Sequence, residues 1–98
     1  MRKVTKKAIQ AFDNCVDFKM GNTEVEALPN VTILKLYGNK IAYRYNDHEK
    51  TLSITTCGWN TAITRERLNG IDGVSVFTRS GKLYLNGKEW DGELIDVK

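Results

Sequence analysis

The sequence predicts an α+β fold: a mainly antiparallel, meandering β-sheet with an N-terminal helix and a short second helix. Three observations carry this. Apolar residues recur every three or four positions near the N-terminus. Turn pairs containing glycine, at Gly38-Asn39, Ser80-Gly81 and Asn86-Gly87, separate short alternating runs. A Cys57-Gly58-Trp59 corner, followed by Asn60 or Thr61 as the helix cap, separates the hairpins before it from those after it. At 98 residues the chain is expected to form one domain over residues 1–98.

Taken in order, residues 5–15 read as a helix whose stripe is Val4, Ala8, Ala11/Phe12 and Cys15, with Thr5 as its N-cap. Arg2, Lys3, Lys6 and Lys7 crowd its start, where the helix dipole is already positive; either the lysines are solvated or they await an anion. Met20-Gly21-Asn22 turns into Thr23–Ala27, a short alternating strand whose charged face suits a sheet edge, and Pro29 ends it.

Residues 31–45 form a hairpin. A two-residue turn at Gly38-Asn39 sets Leu36 opposite Ile41 and Leu34 opposite Tyr43, so that these four share one face, extended by Thr32 and Tyr45. Asn46-Asp47-His48-Glu49-Lys50 is a polar loop, and residues 51–55 add a strand with Leu52 and Ile54 pointing inward. The second helix runs over about Thr61 to Asn69, is stopped by Asn69-Gly70, and offers Ile63, Leu68 and Ile71 to the sheet. Arg65 and Arg67 are two apart and therefore diverge around it. Beyond it, a turn at Ser80-Gly81 pairs Val76 with Leu85, Thr78 with Leu83 and Phe77 with Tyr84; Asn86-Gly87 turns the chain again, and residues 94–97 supply a last edge segment.

Composition narrows the function. The net charge of +3 permits a polyanionic partner without demanding one. No apolar run approaches the about 18 residues of a membrane span, and no apolar core follows the basic N-terminus, so a cytoplasmic protein is expected. Cys15 and Cys57 read as free thiols, and with His48 as the only histidine no metal site is expected. Cys57 has no base but a loop histidine, so no nucleophilic pair is evident. The pairs Asp91/Glu93 and Asp13/Asp17 read as solvated faces. No phosphate-cradling loop, dinucleotide fingerprint or calcium loop occurs. No catalytic residue and no cofactor is assigned.

A binding module is the remaining class. The Gly58-Trp59 corner gathers a large aromatic, hydroxyls and arginines, and the residues suited to partner contact are Trp59, Asn60, Thr61, Thr64, Arg65 and Arg67. The alternative is DNA or RNA binding. It would use that surface with Arg2, Lys3, Lys6 and Lys7, or a sheet presenting Tyr37, Tyr45, Phe77 or Tyr84 beside Arg44, Arg79 and Lys82. An enzyme, a nuclease or one acting on nucleotides, is a third class. Pairing between chains through Thr23–Ala27 and residues 94–97 is a further expectation.

The segments Gly21-Asn22-Thr23-Glu24-Val25, Leu36-Tyr37-Gly38-Asn39-Lys40-Ile41-Ala42, Gly58-Trp59-Asn60-Thr61-Ala62-Ile63-Thr64-Arg65-Glu66-Arg67-Leu68-Asn69 and Leu83-Tyr84-Leu85-Asn86-Gly87-Lys88-Glu89-Trp90-Asp91-Gly92 occur in this order after the N-terminal helix. In this the chain resembles a family of small bacteriophage proteins of unassigned function, over nearly its whole length. The resemblance implies a phage accessory protein in the cytoplasm of an infected bacterium. Such a protein is expected to bind a host or phage macromolecule, a host defence protein included, and the resemblance supplies no catalytic residues.

Overall fold

The computed structural model describes residues 2–97 and has the α+β character that the sequence predicts. Helix α1 (Lys3–Asp13) begins two residues earlier than the apolar spacing suggests. Thr5 is not its cap. It lies buried one turn inside, where its hydroxyl donates to Glu66 Oε1 at 2.5 Å. Ala8, Ile9, Ala11 and Phe12 form the buried stripe, whereas Cys15 sits past the helix end, exposed, at φ 56°.

Six strands form the larger sheet: β1 (Phe18–Met20), β2 (Thr23–Ala27), β3 (Val31–Leu36), β4 (Asn39–Tyr45), β5 (Leu52–Ile54) and β9 (Ile95–Val97). Every pair is antiparallel, in the order β1-β2-β3-β4-β5-β9. β2 is therefore not an edge, contrary to its charged alternation. β1 pairs along it, with Phe18 opposite Val25, and Phe18 packs on the core. The edge expected at residues 94–97 is present as β9, alongside β5, where Ser53 Oγ donates to Asp96 Oδ1.

The β3–β4 hairpin turns one residue earlier than expected. Tyr37 and Gly38 make the turn, at φ 52° and 80°, and Leu36 stands opposite Asn39. A turn with left-handed backbone at both positions wants glycine second, so Gly38 follows rather than leads. A bulge then absorbs one residue. Lys35 pairs with Lys40 but Leu34 pairs with Ala42, so Ile41 and Ala42 are both buried. Beyond the bulge, Val25, Leu34, Ala42 and Ile54 form one cross-strand row, and Tyr43 joins Ile33 on the opposite face instead of Leu34. Tyr43 and Tyr45 stack there with ring centroids 6.2 Å apart.

Helix α2 (Ala62–Asn69) follows the corner, capped by Thr61, whose Oγ1 accepts from the Thr64 amide at 3.2 Å. Leu68 and Ile71 are buried, as their spacing predicts. At Gly70 the two helices touch: a Cβ there would stand 2.9 Å from both Ile9 Cγ1 and Thr5 Cγ2. Strands β6 (Val76–Arg79), β7 (Lys82–Leu85) and β8 (Lys88–Glu89) form a separate three-stranded sheet, so the hairpins after α2 do not simply extend the first one. The β6–β7 register is the predicted one, including Phe77 opposite Tyr84, whose rings stack at 5.3 Å. One buried cluster unites Phe12 from α1, Leu34 and Ile54 from the large sheet, Leu68 from α2, Val76 and Leu85 from the small sheet, and Trp90.

Candidate functional site

The corner after β5 is pinned before it is presented. The Thr56 amide and the Thr55 and Thr56 hydroxyls all donate to the Gly92 carbonyl, at 2.9, 2.9 and 3.2 Å. Cys57 and Gly58 then turn the chain at φ 54° and 80°, and the Trp59 amide closes the turn on the Thr56 carbonyl at 2.9 Å. The indole is thrown outward and is 60% exposed. Just beyond it, Arg65 Nη1 donates to Asn60 Oδ1 at 2.6 Å and to its carbonyl at 3.3 Å, which fixes the exposed face of the first α2 turn.

The tip of the β3–β4 hairpin reaches the same place. The Tyr37 amide donates to the Asn22 carbonyl at 2.8 Å, while the Tyr37 ring is 67% exposed. Between hairpin tip and corner lies a groove of about 380 Å³. Tyr37 and Trp59 line it together with apolar Leu36 and Ile41, and Asn39, Thr56, Thr61 and Thr64 add uncharged polar groups. Its volume falls in the range of roughly 300–1,000 Å³ usual for ligand pockets.

Of the residues expected to contact a partner, Trp59, Thr61 and Thr64 line this groove, whereas Arg65, bonded to Asn60, lines a second groove between α2 and β6 with Glu66 and Phe77. Arg67 is a correction. It is 2% exposed, on the inward side of α2, because two helical positions are about 200° apart and Arg65 takes the solvent side. Its Nε donates to Thr23 Oγ1 at 2.9 Å and its Nη1 to Thr5 Oγ1 at 2.9 Å and to the Glu66 carboxylate. The guanidinium joins α1, β2 and α2; it is not available to a partner. Burial alone would push the Glu66 carboxyl up. Bonds from Thr5, the Arg2 amide and Arg67, with the charge of Arg67, outweigh that and hold it below the ordinary value.

Leu36, Tyr37, Asn39, Ile41 and Thr56 complete the groove. Of these only Tyr37 was a candidate in the sequence, as one of the aromatics of a nucleic-acid-binding sheet. The other aromatics do not form one surface with it. Tyr43 and Tyr45 stack on the large sheet and Phe77 and Tyr84 on the small one, while Arg44 lies 5.0 Å over the Phe12 ring and 3.4 Å from Asp13. Arg2, Lys3, Lys6 and Lys7 are exposed at the start of α1, and none of the ion pairs among the described residues includes them.

The Cys57 thiol donates to the Lys40 carbonyl at 3.0 Å, and burial, only partly offset by the Thr55 hydroxyl, pushes its pKa up. That is the opposite of what a thiolate nucleophile requires. Among the described residues no three His, Cys, Asp or Glu side chains gather as a metal cluster, and no helix is long and apolar enough to cross a membrane.

Compared with known protein families, residues 1–96 match the family described as Kyanoviridae Gp96 protein. The chain belongs to that family. Kyanoviridae Gp96 is a bacteriophage family, in agreement with the resemblance carried by the sequence motifs. No curated protein and no solved structure matches the chain. What the Kyanoviridae Gp96 fold does must therefore be argued from its own groove.

Proposed function

We propose that this Kyanoviridae Gp96 protein is a non-catalytic accessory module. It acts in the cytoplasm of the infected bacterium and holds a host or phage protein through the groove between Tyr37 and Trp59. The observation that supports this is the pair of rings, 67% and 60% exposed, over an apolar floor of Leu36 and Ile41. Leaving two large aromatics in water forgoes their burial energy, and tryptophan and tyrosine are the side chains that dominate protein-binding hot spots.

Capture from infected cells tests it. Native protein should retain a specific partner protein, with host defence proteins among the candidates, and Trp59→Ala should lose it with an unchanged melting curve. Undiminished capture by Trp59→Ala would refute the role of the groove.

A second reading, DNA or RNA binding, is favoured by one observation: the side chains of Arg2, Lys3, Lys6 and Lys7 stand exposed and enter no ion pair among the described residues. Phosphate contacts would weaken steeply with salt. A gel-shift series that shows no complex even at low salt removes this alternative.

A further inference from the structure

We propose that the solvent face of α1 binds double-stranded DNA by its phosphate backbone. This rests on the nucleic-acid reading, to which it adds the surface used and the form of the nucleic acid. No residue of α1 lines the groove between Tyr37 and Trp59.

The positive charge of the chain is concentrated on this face. Of its 15 lysines and arginines, Arg2, Lys3, Lys6 and Lys7 fall within residues 1–7, where there is no acid, and the remaining 11 are set against 12 aspartates and glutamates. The net charge of +3 therefore comes from these four residues. Lys3, Lys6, Lys7 and Gln10 stand three or four apart, on the side of α1 opposite the buried Thr5, Ala8, Ile9 and Phe12, and all four are exposed.

No carboxylate cancels them. They enter none of the ion pairs among the described residues. The helix's own acid, Asp13, is paired with Arg44 at 3.4 Å, and Glu66, which bonds to the first turn, holds the Arg67 guanidinium. Glu66 also accepts from the Arg2 amide at 3.3 Å, so the helix end is already occupied and what it leaves to a ligand is the row of side chains. The helix dipole is positive at this end, so the lysines weaken α1 where they stand. A bound polyanion would reverse that effect.

The composition of the face chooses among polyanions. A helix built to lie on a membrane sets large apolar residues beside its cations, and α1 exposes none. Single-strand binding stacks bases on aromatic rings, and the one aromatic residue of α1, Phe12, is 0% exposed. Protein interfaces are depleted in lysine, and three of these four cations are lysines. Lysine suits phosphate as a point charge, and a DNA duplex offers about one such charge per 1.7 Å of its axis. Positions 2 to 7 span roughly 7.5 Å at the rise of an α-helix, so four cations in that length match the charge density of the duplex. The major groove of B-DNA admits a helix, whereas that of an RNA duplex is too narrow, and Gln10 extends the face with an amide that can bond a phosphate or a base edge.

The test follows the anisotropy of a labelled, mixed-sequence DNA duplex bound to the full chain. The competitors are the RNA duplex of the same sequence, oligothymidylate, polyglutamate, and vesicles of phosphatidylserine and phosphatidylcholine. With four phosphate contacts, affinity for the DNA duplex should fall on the order of 100-fold between 50 and 200 mM salt. Lys6→Glu/Lys7→Glu should bind at least about tenfold more weakly at 50 mM salt and show only about a tenfold fall over the same range. Its melting temperature should not drop, because acids are favourable in the first turn of a helix. Lys40→Glu/Lys88→Glu makes the same change in net charge at two exposed positions off the helix and should stay within about threefold of the native affinity. Equal loss in the two double variants overturns α1 as the surface and leaves nucleic-acid binding standing. Competition by the RNA duplex or oligothymidylate as effective as by unlabelled DNA duplex overturns the preference for double-stranded DNA. Polyglutamate or vesicles competing equally well overturn nucleic acid as the occupant. No complex at low salt overturns both this inference and the nucleic-acid reading, while capture through Trp59 is judged separately.

Discussion

Arg67 Nε donates to Thr23 Oγ1 over 2.9 Å, and this bond ties the middle of α2 to the first residue of β2. Both residues are buried, and Nη1 of the same guanidinium reaches Thr5 on α1. A cation enclosed by two threonine hydroxyls and one carboxylate is a structural fastener, and its bonds are worth most when broken singly.

Arg67→Ala should therefore destabilise the protein by about 3–5 kcal/mol, because Thr5, Thr23 and Glu66 lose their shared partner in a space that water does not readily fill. With total stabilities of about 5–15 kcal/mol in such domains, the variant should lie near the edge of folding. Urea denaturation followed by circular dichroism measures this. A loss below about 1 kcal/mol would show that the network is dispensable.

Stability should fall in acid through Glu66. Its folded-state pKa lies below the ordinary value of 4.5, so the unfolded chain takes up the proton first as the pH drops. The contribution is complete above the unfolded value and is lost as pH falls through the folded one. Glu66→Gln should accordingly be less stable than the native protein at pH 7, with the difference shrinking below about pH 4. Denaturation midpoints compared at both pH values check the sign.

Tyr37→Asn should stabilise the isolated protein by about 1 kcal/mol, since asparagine tolerates the left-handed backbone at the head of this turn. The same change removes one wall of the groove. A higher urea midpoint together with lost partner capture is expected; gain without loss would show that Tyr37 has no part in binding.

Asn69 ends α2 by turning its side chain onto the small sheet. Its Oδ1 accepts from the Val76 amide at 2.6 Å and its Nδ2 donates to the Val76 carbonyl at 2.8 Å. Asn69→Ala leaves both groups of a buried residue without a partner and should cost about 1–3 kcal/mol. Hydrogen exchange should show a faster Val76 amide in particular.

How much of this was legible in the chain differs from element to element. A cap at Asn60 or Thr61, the Gly70 stop and the whole β6–β7 register were legible, because each depends on residues within a few positions of one another; the structure chooses Thr61 as the cap. The divergence of Arg65 and Arg67 was legible too, but not which of them turns inward. That depends on Thr5 and Thr23, which helical spacing does not reveal. β1 was missed because three residues, Phe18–Met20, carry too little alternation to mark a strand. The β3–β4 turn was misplaced because the bulge at Ile41 breaks the period on which register arguments rest.

The sequence by itself determined the α+β character, the phage family, the glycine–tryptophan corner and the hairpin turns after the second helix. These follow from local backbone preference and from motif order, which neighbouring residues specify. Only the tertiary structure decided that Arg67 is enclosed, that β1 covers β2, and that Tyr37 and Trp59 line one groove. Burial and adjacency depend on which distant segment packs against a residue, and that is settled by the fit of the whole core.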